Sequence, residues 1–133
     1  MELNDFLEMV EDTERSQLGL DFDGVIHKNS KGFNDGTIYD EPIDGAIDGV
    51  KYLNETLGYD LIIYSCKCTP DRPLVNGETG IELIWGWLEK YGIRDNVKDV
   101  THIKPNAVAY IDDKGIRFNN WTDCIKEVSK LNG

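Results

Sequence analysis

Three short apolar runs, each broken off by polar residues, do most to limit what this chain can become. Residues 17–21 (QLGLD), 61–65 (LIIYS) and 106–113 (NAVAYIDD) have the length and apolar character of buried strands. Segments of helical period separate them. After Asp44, which is placed to cap a helix, Ile47, Val50, Leu53 and Leu57 share one face, and Gly58 is placed to stop it. Ile81, Ile84, Trp85 and Leu88 repeat the pattern ahead of Gly92. Trp121, Cys124, Ile125 and Val128 repeat it once more, and Asn4 is placed to cap a helix over 4–15. Strands alternating with helices, two of the strands almost continuously apolar, predict an α/β fold. The expected architecture is a three-layer sandwich around a doubly wound, mainly parallel sheet.

No repeat or linker divides the 133 residues, so one domain over 1–133 is expected. Two stretches fit neither helix nor strand. Residues 27–43 contain an Asn-Asp-Gly turn and read as a β-hairpin flap. Residues 67–79 (KCTPDRPLVNGET) read as a polar loop leaving the same pole of the sheet. The net charge of −11 disfavours an extended grip on nucleic-acid phosphates, which needs excess Lys and Arg. No apolar run approaches the ~18 residues of a membrane span, and the acidic start MELNDFLEMVEDTER does not read as a leader. Three cysteines in no Cys-x-x-Cys pattern suit neither a disulfide framework nor structural zinc, and a reducing cytoplasm is the expected setting.

The polar residues that end the strands form one constellation. Asp21 and Asp23 follow the first run, Ser65 ends the second, Lys104 precedes the third, and Asp112 with Asp113 ends it. Ligands of open parallel sheets bind at the carboxyl ends of strands. Carboxylates brought together there repel unless a cation or proton is shared. Oxygen donors without His or Cys suit Mg²⁺, which takes its other ligands from water and phosphate. A hydroxyl and an ammonium beside that ion are what a phosphoryl group needs. Taken singly, each element has a plainer reading: a turn at Asp23-Gly24, a structural Ser65, a solvated Lys104, a loop start at Asp112-Asp113.

Taken in order, DFDGV, LIIYS, the Lys of IKP and YIDD resemble the four motifs of the haloacid dehalogenase superfamily of phosphohydrolases, over residues 17–118. The resemblance implies that Asp21 is a nucleophile forming an aspartyl-phosphate and Asp23 a general acid and base. It implies Mg²⁺ held by Asp21, Asp112 and the backbone carbonyl of Asp23, with Asp113 as a further ligand or a partner of one. Ser65 and Lys104 would bind the phosphoryl oxygens. Cys66, Lys67 and Arg72 are the remaining substrate-side candidates, although the Cys66 side chain itself reads as a small buried apolar group.

With room for only a hairpin and a short loop, the chain resembles members without a cap domain. The open site suits a phosphorylated small metabolite, a nucleotide or a macromolecular end, or a site closed by a second copy of the chain. A phosphotransferase and a non-catalytic metal- or phosphate-binding module are the alternatives. His27 and His102 are expected to be structural or peripheral, and Trp87, off the apolar stripe, to be a partly exposed contact with another helix or subunit. The strand before Lys104 is expected to be short, within NVKDVTHI.

Overall fold

The computed structural model describes residues 16–32, 37–112 and 116–131. The helix expected over 4–15, the tip of the 27–43 stretch and Asp113 lie outside the described residues. Strands β1 (Gln17–Asp21), β2 (Asp60–Tyr64), β3 (Asp99–Thr101), β4 (Ala109–Asp112) and β5 (Ile116–Arg117) form one sheet in the order β3-β2-β1-β4-β5. Every pairing between them is parallel. The chain steps outward from β1 through β2 to β3, then returns to the far side of β1 as β4. That reversal makes the carboxyl ends of β1 and β4 a topological switch point, where open sheets leave a crevice for ligands.

Helices α1 (Ala46–Lys51), α2 (Gly80–Lys90) and α3 (Trp121–Leu131) connect or follow the strands. The core takes Leu18, Leu20, Leu61, Ile63, Val100 and Ile111 from the sheet, together with Val50, Leu53, Ile84, Leu88, Cys124 and Val128. Side chains alternate along a strand, and the register puts all six strand residues on one face. The described helices therefore cover that face. Gly19, Ile62 and Tyr110 point to the opposite one, together with Asp21, Tyr64 and Asp112. A helical layer on this second face is not found among the described residues.

Local details depart from expectation for identifiable reasons. The first helix is entered through Gly45 in the left-handed region (φ 82°), with no side-chain cap, so Asp44 does not cap it. After Lys51 the helix widens into a π-helical turn, Tyr52–Thr56, before Gly58 at φ 77° ends it. Gly49 seats the Trp121 ring, since a Cβ there would lie 2.3 Å from Trp121 Cε3. Trp87 is buried rather than partly exposed: its ring meets Phe22 edge-on and its Nε1 donates to the Asp40 carbonyl at 3.0 Å. The 27–43 stretch is less than a hairpin ladder among the described residues. Its legs meet in one antiparallel pairing, His27 with Pro42, flanked by Lys28 N–H to Glu41 O at 3.0 Å and Ile43 N–H to Ile26 O at 2.9 Å. β3 spans three residues, short as expected. No described helix is long and apolar enough to cross a membrane.

Candidate active site

Two groups of polar side chains occupy the carboxyl end of the sheet. The first is built on strand ends. Leu20 pairs with Ile111, so Asp21 and Asp112 follow at the same level on adjoining strands, while Asp21 pairs with Tyr64 on its other side. Asp112 is buried, and its Oδ2 accepts from the Tyr64 hydroxyl and, at 3.2 Å, from Lys104 Nζ. Burial, then the hydrogen bond to Asp112 and the nearby carboxylate charges, push the Tyr64 phenol well above its ordinary range. It therefore stays a hydrogen-bond donor. Asp21 Oδ1 accepts from the Phe22 N–H at 2.8 Å.

Lys104 arrives on the 102–108 crossing between β3 and β4. Its ammonium lies 4.2 Å from the Tyr110 ring centroid, and its side chain keeps 46% exposure. The Tyr110 hydroxyl donates to the Pro105 carbonyl at 2.6 Å and so pins that crossing. The close approach requires Gly19. A Cβ there would sit 2.7 Å from Tyr110 Cδ1, 3.1 Å from Tyr64 Cε1 and 3.3 Å from Pro105 Cγ.

The second group is built on turns. Phe22 through His27 fold into a tight turn in which Gly24 takes φ 81° and donates to the His27 carbonyl at 2.8 Å. The turn faces Asp23 toward His27 Nδ1 at 2.8 Å, and Lys67 Nζ reaches both Asp23 oxygens at 3.0 and 2.9 Å. The Lys67 side chain is 5% exposed and that of Asp23 21%. Burial alone would raise the Asp23 carboxyl. The hydrogen bonds and charges of His27 and Lys67 outweigh it and hold the group below its ordinary value. Ser65 is buried, and its hydroxyl accepts from the Lys67 N–H at 3.2 Å, closing a 3-10 turn over Cys66–Cys68. Behind that turn Gly80 opens α2 so closely that a Cβ would lie 1.7 Å from the Lys67 carbonyl oxygen.

The structure thus brings Asp21, Asp112 and Lys104 together, and sets Asp23, Lys67 and Ser65 beside them as a separate, more enclosed group. Cys66 is exposed, contrary to the buried apolar group expected, and Cys68 takes the buried position instead. Burial pushes the Cys68 thiol up to about 11. Arg72 lines a hollow of about 190 Å³ with Cys68, Thr69, Pro70 and Thr79. His27, expected to be structural or peripheral, is structural: it is fully buried against Phe22 and bonded to Asp23.

Tyr64 and Tyr110 were not singled out by sequence reasoning. Their signal is spacing: Tyr110 stands two before Asp112, and Tyr64 is the last residue of its strand. The all-oxygen donors Asp21 and Asp112 fit a hard cation that takes one or two carboxylates and keeps its waters. Among the described residues no group of three His, Cys, Asp or Glu is placed to hold a metal. No family model, no curated protein and no solved structure matches the chain.

Proposed function

We propose that the chain is a Mg²⁺-dependent phosphomonoester hydrolase of the haloacid dehalogenase type, a capless three-layer α/β enzyme of the reducing cytoplasm. The observation that carries this reading is that Asp21 and Asp112 follow the Leu20–Ile111 pair level on adjoining strands at the switch point, with Lys104 delivered to Asp112. Asp21 attacks phosphorus, the bond from phosphorus to the ester oxygen breaks, and an aspartyl-phosphate forms. Water, giving a proton to the Asp23 carboxylate, then attacks that phosphorus and releases inorganic phosphate and the Asp21 carboxylate. Lys104 and the Ser65–Lys67 turn neutralise and hydrogen-bond the phosphoryl oxygens. Asp21, Asp112 and the Asp23 carbonyl would hold Mg²⁺, with Asp113 as a further ligand by resemblance. When bound, the ion supplies charge neutralisation at the phosphoryl group.

Asp23 protonates the departing ester oxygen. At rest it is an anchored carboxylate, so it needs a change of partner before it can hold a proton. Lys67 turning from Asp23 to an arriving phosphoryl group provides that change, because burial then acts on Asp23 with less opposition. The site has no cap, and its substrates are a phosphorylated metabolite, a nucleotide or a macromolecular end, with closure by a second copy as one arrangement.

Phosphate release from a panel of phosphomonoesters, with Mg²⁺ and with chelator, tests the reading. Asp21→Asn is expected to reduce metal-dependent release to background with little change in Tm. Release that survives the substitution would remove Asp21 as nucleophile. The anchored Asp23 also favours a second reading, a phosphotransferase or binding module that forms phospho-Asp21 and hydrolyses it slowly. One equivalent of phosphoprotein labile to alkali and hydroxylamine, without further turnover, is its signature.

A further inference from the structure

His27 is bonded on both ring nitrogens. Nε2 receives the Asp40 backbone N–H at 3.0 Å, and an amide N–H can only donate, so Nε2 carries no proton. The proton therefore sits on Nδ1, which donates to Asp23 Oδ1 at 2.8 Å. The ring has no exposure. It stacks on Phe22 with centroids 5.3 Å apart and planes 7° from parallel, and it meets Trp87 and Tyr39 edge-on. Asp40, whose N–H sets the tautomer, is itself fixed through its carbonyl by Trp87 Nε1 at 3.0 Å. A buried ring with one donor and one acceptor, each aimed at a different segment, specifies direction as well as filling space.

We propose that His27 is a positioning residue for Asp23. The returning leg of the 27–43 stretch, through the Asp40 amide, selects the Nδ1–H tautomer, and that proton aims the Asp23 carboxylate. The arrangement leaves Asp23 Oδ2, which Lys67 approaches at 2.9 Å, as the oxygen that exchanges partners when a phosphoryl group arrives. This deepens the phosphohydrolase reading and rests on it.

Two amide substitutions separate aiming from filling. In His27→Asn the side-chain amide stands where Nδ1 was and can still donate to Asp23. In His27→Gln it stands where Nε2 was and can still meet Asp40, but not Asp23. Both lose the stacked ring, so their Tm values should fall together. Positioning predicts that His27→Gln lowers kcat by roughly 10²-fold, the lower end of what general acid–base catalysis contributes. KM should be unchanged, and His27→Asn should recover most of kcat.

Equal kcat losses in the two folded variants, or a loss confined to KM, would overturn the proposal. Nitrogen-15 spectra of the wild-type imidazole provide a reading independent of folding in the variants. A protonated Nδ1 and a bare Nε2 are expected, and the opposite tautomer sinks the proposal. Absence of turnover in the wild type removes the hydrolase reading itself, and with it this role. Turnover in the wild type with indistinguishable Asn and Gln variants removes the role alone.

Discussion

Asp21 and Asp23 are two residues apart, yet their surroundings differ in almost every respect. Asp21 ends a strand and lies level with Asp112, whose partner is a lysine that keeps 46% exposure. Asp23 sits one turn later, beside a fully buried imidazole and a lysine with 5% exposure. Lys104 and Lys67 each neutralise one carboxylate, but in different media. Lys104 keeps its ammonium partly in water beside a buried Asp112, so this pair is screened from the lysine side only. Lys67 is enclosed, and removing it leaves the Asp23 charge with His27 and little water. The difference teaches that neighbouring carboxylates can be assigned different work by backbone alone: the strand presents one, and the turn encloses the other.

Replacing each lysine by Met is the strongest attempt to break this contrast. Lys67→Met should destabilise the fold by about 3 kcal/mol, the lower end for breaking a buried pair, because Asp23 retains some contact with water. Lys104→Met should cost less than Lys67→Met, because the buried Asp112 keeps the Tyr64 hydroxyl as a donor, while sharply lowering phosphate release. Urea unfolding and the phosphate assay read the two effects. Equal stability losses would mean that the enclosure of Lys67 has no energetic consequence.

Each half of the site is also backed by one glycine, and the backing differs in stiffness. At Gly80 an added Cβ meets the Lys67 backbone oxygen at 1.7 Å, so the Cys66–Cys68 turn or the start of α2 must move. At Gly19 it meets the Tyr110 ring at 2.7 Å, which can yield by turning. Overpacking costs about 1–3 kcal/mol, and Gly80→Ala should fall at or beyond the top of that range, with Gly19→Ala near its middle. Thermal unfolding orders them. Gly19→Ala should additionally weaken phosphate binding, because Tyr110 pins the crossing that carries Lys104.

Much of the first group was legible in the sequence because strand periodicity places it. A buried strand ending in Asp puts a carboxylate at a sheet pole, and parallel pairing brings two such ends together. The same argument reaches Tyr64 and Tyr110 once register is known, but register depends on pairing partners that the sequence does not name. The second group was only half legible. Lys67 reads as a solvated charge in a polar loop, and nothing local reveals that Gly80 lets α2 close behind it. For His27 the sequence leaves structural and peripheral roles open, because one histidine without a metal triad has no local signal. Its partners, Asp23 and Asp40, meet it only through two turns. Trp87 was misjudged because the helical stripe predicts the face toward the sheet, whereas its neighbours Phe22, His27 and Tyr91 lie beyond the sheet or on its own helix.

The smallest expected effect is also the most direct check on enclosure. The Asp23 carboxyl is held below its ordinary value of 3.8 because His27 and Lys67 together outweigh the opposing effect of burial. A carboxyl depressed in the folded state binds fewer protons there than in the unfolded chain. Its stabilising contribution is therefore complete above about pH 4 and is lost as pH falls through the lower, folded value. Lys67→Met removes part of what holds the value down, so the variant loses that contribution at a higher pH. In wild type at low pH, protonated Asp23 leaves the Lys67 charge buried without its partner, a penalty the Met variant escapes. The stability gap between wild type and Lys67→Met should thus be widest near pH 6 and narrow as pH drops below 3.8. Urea midpoints measured from pH 6 downward would show it. A gap that stays constant over that range would place the role of Lys67 in packing its aliphatic stem rather than in neutralising Asp23.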